Sequence, residues 1–167
     1  MCNLFILVEN VDEQRFFESK PIKNLFVNKY GTSPNVLLYG CDTPENTNKY
    51  VKICDDNSWL YIVIRGNTSK FDISTCSRIN TQKIETVILE IESWYIAGLN
   101  QNSCNDLGVK YVGNTDLLNK TIFNKITSSE NADSNVPIMI KILEKYDVEH
   151  ALHNNHSFKE FYEKYLM

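Results

Sequence analysis

Three short apolar runs, NLFILVE (Asn3–Glu9), NVLLYG (Asn35–Gly40) and WLYIVIRG (Trp59–Gly66), constrain this chain more than any other feature. Each is nearly continuous, with no polar residue at alternate positions. That pattern suits strands buried on both faces, as in a parallel sheet covered by helices. Parallel neighbours need a crossover of a dozen or so residues between them, and the intervening segments are long enough to supply one.

The first crossover runs from Asp12 to Tyr30. Phe16, Phe17, Ile22, Leu25 and Phe26 recur there at helical spacing, and Pro21 predicts a break or a fresh helix start. Lys29-Tyr30-Gly31 closes the segment with a cation and a glycine, a common helix ending. In the second crossover Thr43 is the expected N-cap, with Pro44 in the first turn, and Asp55–Ser58 reads as a turn. A fourth strand is expected over Lys83–Glu90 (KIETVILE). The order β-α-β-α-β-(loop or helix)-β then gives an α/β fold, a mostly parallel four-stranded sheet sandwiched by helices with right-handed crossovers.

Beyond Glu90 the pattern turns helical. Ile91–Leu99 reads as a short helix, with Trp94 and Tyr95 as core. Polar loops surround Leu107–Val112, and Thr127–Asn135 (TSSENADSN) reads as a flexible polar loop. Amphipathic helices are expected from Pro137 (PIMIKILEKY) and over HSFKEFYEKYL, the latter capped by Ser157 with Glu160 closing a capping box. No repeat or low-complexity linker marks a second domain. Residues 1–167 are therefore expected to form one domain.

The net charge of −4 removes any global basic field for nucleic acid or membrane, though not a local patch. Five scattered cysteines without a CxxC pair suggest neither a zinc knuckle nor a disulfide framework, and point to reduced thiols in a cytoplasmic protein. The amino terminus lacks the basic flank of a signal peptide. No run approaches the ~20 apolar residues of a membrane helix.

Chemistry is sought where ligands bind open parallel sheets, outside the carboxyl ends of the strands. Glu9 sits at such an end, before a helix, so it serves either as a ligand or as a cap favoured by the helix dipole. Asp12 reads as an N-cap. A receiver-type phosphoacceptor site is unsuitable, because Gly66-Asn67 stands where the third strand would need an aspartate. His150, His153 and His156 tempt toward zinc, but no cysteine completes a ligand set, and capping or solvated roles are expected. Arg15, Lys20, Lys23 and Lys29 read as a solvated helix face.

Phe5-Ile6-Leu7-Val8-Glu9-Asn10-Val11-Asp12 resembles the opening of the Toprim fold shared by topoisomerases, primases and several nucleases. In that family the first strand ends in a glutamate, usually followed by glycine. Leu89–Gly98 (LEIESWYIAG) is similar to a run in small stand-alone prokaryotic Toprim-like proteins. The resemblance covers residues 1–100, leaving 101–167 as a mostly helical addition. It implies a Mg²⁺ site built from the glutamate and an Asp-x-Asp pair after a later strand. Here Gly66-Asn67-Thr68 occupies that place, so the pair is degenerate.

The resemblance thus implies a nucleic-acid- or partner-binding module with weakened or lost metal-dependent catalysis. The alternative is an active divalent-metal nuclease. In it Glu9 would be metal ligand and general acid/base, Asp72 and Glu92 auxiliary ligands, and Arg65 or Arg78 phosphate contacts. Mg²⁺ takes one or two carboxylates plus water and substrate phosphate, so a site reduced to Glu9 would hold the ion poorly.

Overall fold

The computed structural model describes residues 3–67, 71–128 and 132–167, the side chains of 132–134 excepted. The chain divides into two compact units, Met1–Thr86 and Val87–Met167.

The first unit follows the alternation read from the apolar runs. β1 (Leu4–Val8) leads into α1 (Val11–Glu18) and α2 (Lys20–Tyr30). β2 (Asn35–Leu38), α3 (Pro44–Asp56) and β3 (Leu60–Gly66) come next, and β4 (Ile84–Val87) completes an all-parallel sheet of order β2-β1-β3-β4. Register pairs Leu7 with Leu37 on one side and with Val63 on the other. The core strands are buried on both faces: Ile6, Leu7, Val8, Ile62, Val63 and Ile64 are all at 0 % exposure. Leu7, Tyr61 and Val63 pack with Val51 and Cys54 of α3 and with Ile73, Cys76 and Ile79 from the loop after β3. Each large apolar side chain so buried contributes about 1.5–3 kcal/mol.

Local signals explain most boundaries. The break between α1 and α2 falls at Ser19, just before Pro21, and Gly31 ends α2 in the left-handed conformation (φ 72°). Thr43 caps α3 by accepting from Asn46 N–H, with Pro44 as the first helical residue. Three expectations need correction. Asn10, rather than Asp12, is the N-cap of α1, because its short amide side chain reaches two main-chain N–H groups of the first turn. α3 continues through Asp56, so the turn before β3 is shorter than expected. β4 stops at Val87, short of Glu90, and Leu89 at φ 63° has a left-handed backbone that no strand can carry.

The second unit is helical: α4 (Glu92–Ala97), α5 (Gln101–Leu107), α6 (Lys120–Thr127), α7 (Ala132–Glu144), α8 (Val148–Asn154) and α9 (His156–Tyr165). α4 packs against α6, α7 and α8, and Trp94 anchors it. The Trp94 ring meets Phe158 at 5.2 Å and Phe161 at 5.3 Å between centroids, while its Nε1–H donates to Ser157 Oγ at 2.8 Å. Tyr146 donates from its hydroxyl to Trp94 O at 2.9 Å, and a Cβ on Gly98 would lie 2.4 Å from the Tyr146 ring. That approach excludes any side chain at residue 98.

Ser157 is therefore not the cap of α9. Asn155 takes that role, accepting from Phe158 N–H, while Ser157 donates to Asn155 Oδ1 and is committed to Trp94. α7 begins at Ala132 with Pro137 inside it, so part of the expected polar loop is helix. Residues 129–131 of that loop lie outside the described residues. α5 and α6 occupy stretches expected to be loop.

Candidate functional site at the carboxyl ends of the strands

The chain leaving β1 is fastened by its neighbours. Asn10 Oδ1 accepts from Asp12 N–H at 3.0 Å and Glu13 N–H at 2.9 Å, and Glu13 Oε2 accepts in return from Glu9 N–H at 2.6 Å and Asn10 N–H at 3.4 Å. This is a reciprocal capping box. Its acid, Glu13, is 1 % exposed, so a buried carboxylate holds the peptide bond before Glu9. From the other side Gly40 presses on Glu9, where an added Cβ would stand 1.9 Å from Glu9 O. The position of Glu9 is thus fixed through its main chain, while its partly exposed side chain leaves the sheet end.

Tyr39, the residue after β2, lies in the core beneath this end and donates from its hydroxyl to Ile64 O at 3.1 Å. Burial pushes its phenol well above the usual value, and the charges of Glu9 and Glu13 push it further. Arg65 opposes them. Tyr39 is therefore a fixed donor at every ordinary pH.

Arg65, near the end of β3, carries the unusual feature of this region. Its Nε is buried without a hydrogen-bond partner among the described residues. Buried donors are nearly always satisfied, and an orphan costs about 1–3 kcal/mol. After Arg65 come buried Gly66 and exposed Asn67, neither a carboxylate, while Thr68 lies outside the described residues.

The structure treats the remaining expected residues differently. Asp72 caps the short 3-10 turn Ile73–Thr75, accepting from Ser74 N–H at 3.1 Å and Ser74 Oγ–H at 2.6 Å. Those bonds, with a smaller pull from Arg65, hold its carboxyl below the usual range. Arg78 is exposed, its main-chain N–H donating to Asn48 Oδ1 at 3.0 Å. Glu92 belongs to the second unit, where it is 3 % exposed in the first turn of α4 and lies 3.7 Å from Lys120 Nζ. Neighbouring Glu90 accepts from Lys120 N–H at 2.5 Å. Glu9, Arg65 and Asp72 thus share the strand-end region of the first unit, linked by the fields that Tyr39 and Asp72 feel. Among the described residues no group of three His, Cys, Asp or Glu could hold a metal ion.

The histidines divide between two helices, each with its own neighbour. His150 Nε2 stands 3.5 Å from the Tyr111 hydroxyl, His153 Nδ1 2.7 Å from Glu149 O, and His156 Nε2 3.3 Å from the Glu160 carboxylate. Arg15 is paired with Asp12 at 2.5 Å. Two residues of the strand-end region, Glu13 and Tyr39, are not among those the sequence reading assigns to it. The spacing Asn10-x-x-Glu13, an acid three positions after a capping residue, is the available signal.

The class defined so far is an α/β protein with an all-parallel four-stranded sheet, consistent with a Toprim-like fold, carrying charged side chains at the strands' carboxyl ends. Comparison with protein-family models, with curated proteins and with solved structures found no match. No described helix is long and apolar enough to cross a membrane.

Proposed function

We propose that this chain is a Toprim-like module that binds nucleic acid through its phosphates at the carboxyl ends of β1 and β3, with metal-dependent catalysis weakened or lost. The observation that carries the reading is Arg65, a guanidinium at a ligand-binding edge whose buried Nε has no acceptor among the described residues. A phosphate oxygen is the acceptor best suited to the planar fork of arginine. Arg78, exposed in the following loop, is the second phosphate contact. The reduced thiols at Cys41, Cys54, Cys76 and Cys104 suit a cytoplasmic setting.

The donor set does not fit a tightly held Mg²⁺. Gly66 offers no ligand and Asn67 only a neutral one. Asp72 is engaged by Ser74, and Glu92 by Lys120. The alternative, an active nuclease using Glu9 with Asp72 and Glu92, requires those carboxylates to leave their present partners. Weak Mg²⁺ binding at Glu9 is the most this reading includes.

The test is fluorescence anisotropy with a labelled single-stranded oligonucleotide at low salt. Binding is expected to weaken about tenfold in Arg65→Ala and to fall with rising salt as counterions are released. Absence of binding, or binding indifferent to Arg65→Ala and Arg78→Ala, overturns the proposal. Calorimetric titration of Mg²⁺ and Mn²⁺ into wild type and Glu9→Ala tests the alternative, which gains support only from binding that the substitution removes.

A further inference from the structure

The phosphate reading gives the strand-end region two cations, Arg65 and Arg78. Glu9, Asp42 in the turn after β2, and Asp72 stand in the same region, and the chain as a whole carries a charge of −4. Phosphate affinity grows with the number of contacts and is lost as salt rises. Two contacts on an acidic protein hold a strand weakly, because no wider basic field assists them. A nucleic acid retained here needs a second kind of contact, one that salt does not screen.

Phe71 offers one. It lies in the loop after β3, one residue before Asp72, packed against the core beneath the strand ends but partly exposed. Its ring stands 5.1 Å from the Tyr39 ring, centroid to centroid, at an angle of 75°. The Tyr39 hydroxyl is bonded in turn to Ile64 O at 3.1 Å, so the aromatic pair is fastened to β3 at the residue before Arg65. A ring held by an edge-to-face neighbour has little side-chain freedom left to lose when a ligand stacks on it. Another partly exposed pair, Phe5 and Trp59, stacks on itself at the amino ends of β1 and β3, away from Arg65.

We infer that the ligand of this site is a single strand, one base of which stacks on Phe71 while the adjoining phosphate meets Arg65; the inference rests on the phosphate reading above. Stacking of a base on an aromatic side chain tolerates any sequence, because every base has a π-face. A duplex keeps its bases stacked on one another and offers the site only phosphates, so it is the poorer ligand. Phe71 selects the single strand, and Arg65 holds the backbone of either form.

The test is fluorescence anisotropy on the full chain with three labelled probes of equal length: a thymidine single strand, the same strand made abasic throughout, and a duplex. The wild-type protein is expected to bind the thymidine strand about tenfold or more tighter than either of the others. Phe71→Leu keeps an apolar side chain against Tyr39 but has no π-face. It should lose about tenfold on the thymidine strand and nothing on the abasic one, whereas Arg65→Ala should weaken both. Equal affinity for the thymidine and abasic strands, both still weakened by Arg65→Ala, overturns the stacking inference and leaves the phosphate reading standing. Binding of none of the probes overturns both. Photocrosslinking of a 5-iodouridine strand to the wild-type protein, mapped by mass spectrometry, needs no variant and decides the matter should Phe71→Leu fail to fold. The adduct is expected on Phe71, and an adduct elsewhere refutes its role, as does a preference for the thymidine strand that a folded Phe71→Leu leaves unchanged.

Discussion

Gly40→Ala is expected to damage the strand-end region more than any comparable one-carbon change. The added Cβ would fall 1.9 Å from Glu9 O, 2.8 Å from Glu9 C and 2.9 Å from Glu9 Cγ. Two of these atoms are main chain, and Glu13 holds the peptides on both sides of Glu9, through Glu9 N–H at 2.6 Å and Asn10 N–H at 3.4 Å, so neither side yields cheaply. Relief requires the chains after β1 and β2 to part by about an ångström, which stretches the adjacent Tyr39 N–H to Val8 O bond, now 2.8 Å. Overpacking of this kind costs about 1–3 kcal/mol and a weakened hydrogen bond about 1 kcal/mol more, for a sum near 3 kcal/mol. Thermal unfolding followed by far-UV circular dichroism should then show a fall in Tm of roughly 9 °C. Gly31→Ala is the matched control, because Gly31 has φ 72° with nothing within 4 Å of an added Cβ. It should lose only the ~1 kcal/mol of a left-handed alanine. A Gly40→Ala protein as stable as Gly31→Ala would refute the close approach and the fixed position of Glu9 built upon it.

Glu13→Ala should lose about 2 kcal/mol in urea denaturation, through the cap and the stranded Glu9 N–H, whereas Glu13→Gln, which keeps an acceptor, should lose less than half of that. Asp42 is held low chiefly by the Asn46 side chain and Asp72 chiefly by the Ser74 hydroxyl. With folded values below the ordinary 3.8, both contribute stability that is fully present above that pH and is lost as the pH falls below it through the folded values. Urea midpoints measured above and below this point should differ less in an Asp42→Asn/Asp72→Asn double variant than in wild type. Burial pushes the thiols of Cys54, Cys76 and Cys104 up, while Cys41 is exposed. A thiol reagent should therefore label Cys41 well before those three in native protein, as read by mass spectrometry.

The sheet is legible because each strand of its interior is apolar on both sides, a pattern that no surface helix shares. Helix starts marked by proline or threonine at Pro21, Thr43 and Pro44 are equally plain. Asparagine is harder to read. Asn10, Asn100, Asn119 and Asn155 cap α1, α5, α6 and α9, and in a chain this rich in polar residues such caps resemble loop. α5 in particular ends in Gly108 at φ 67°, so both of its end signals are present, but only Cys104 of the helix is buried. Its apolar periodicity is too thin to register. Ser157 is misplaced for another reason: its competing partner, Trp94, lies 63 positions away, beyond the reach of any local pattern.

The strand-end site shows the same division between local and distant causes. Glu9 is legible as an acid ending an apolar run, and Arg65 as a cation ending another. Their surroundings are only partly so: Glu13 follows Asn10 at capping-box spacing, whereas Tyr39 and Gly40 come from a distant stretch that only the fold brings to Glu9. Those surroundings give Glu9 and Arg65 their different characters. The peptide of Glu9 is bonded on one side and pressed on the other, which fixes where its carboxylate starts. Arg65 instead retains a buried Nε–H without an acceptor among the described residues, a cost the fold carries with no structural return. On the proposed reading an anion that reached that donor would recover the cost on binding, whereas a cation would have to draw the Asp72 carboxylate away from Ser74. It is on this difference that the proposed phosphate recognition rests.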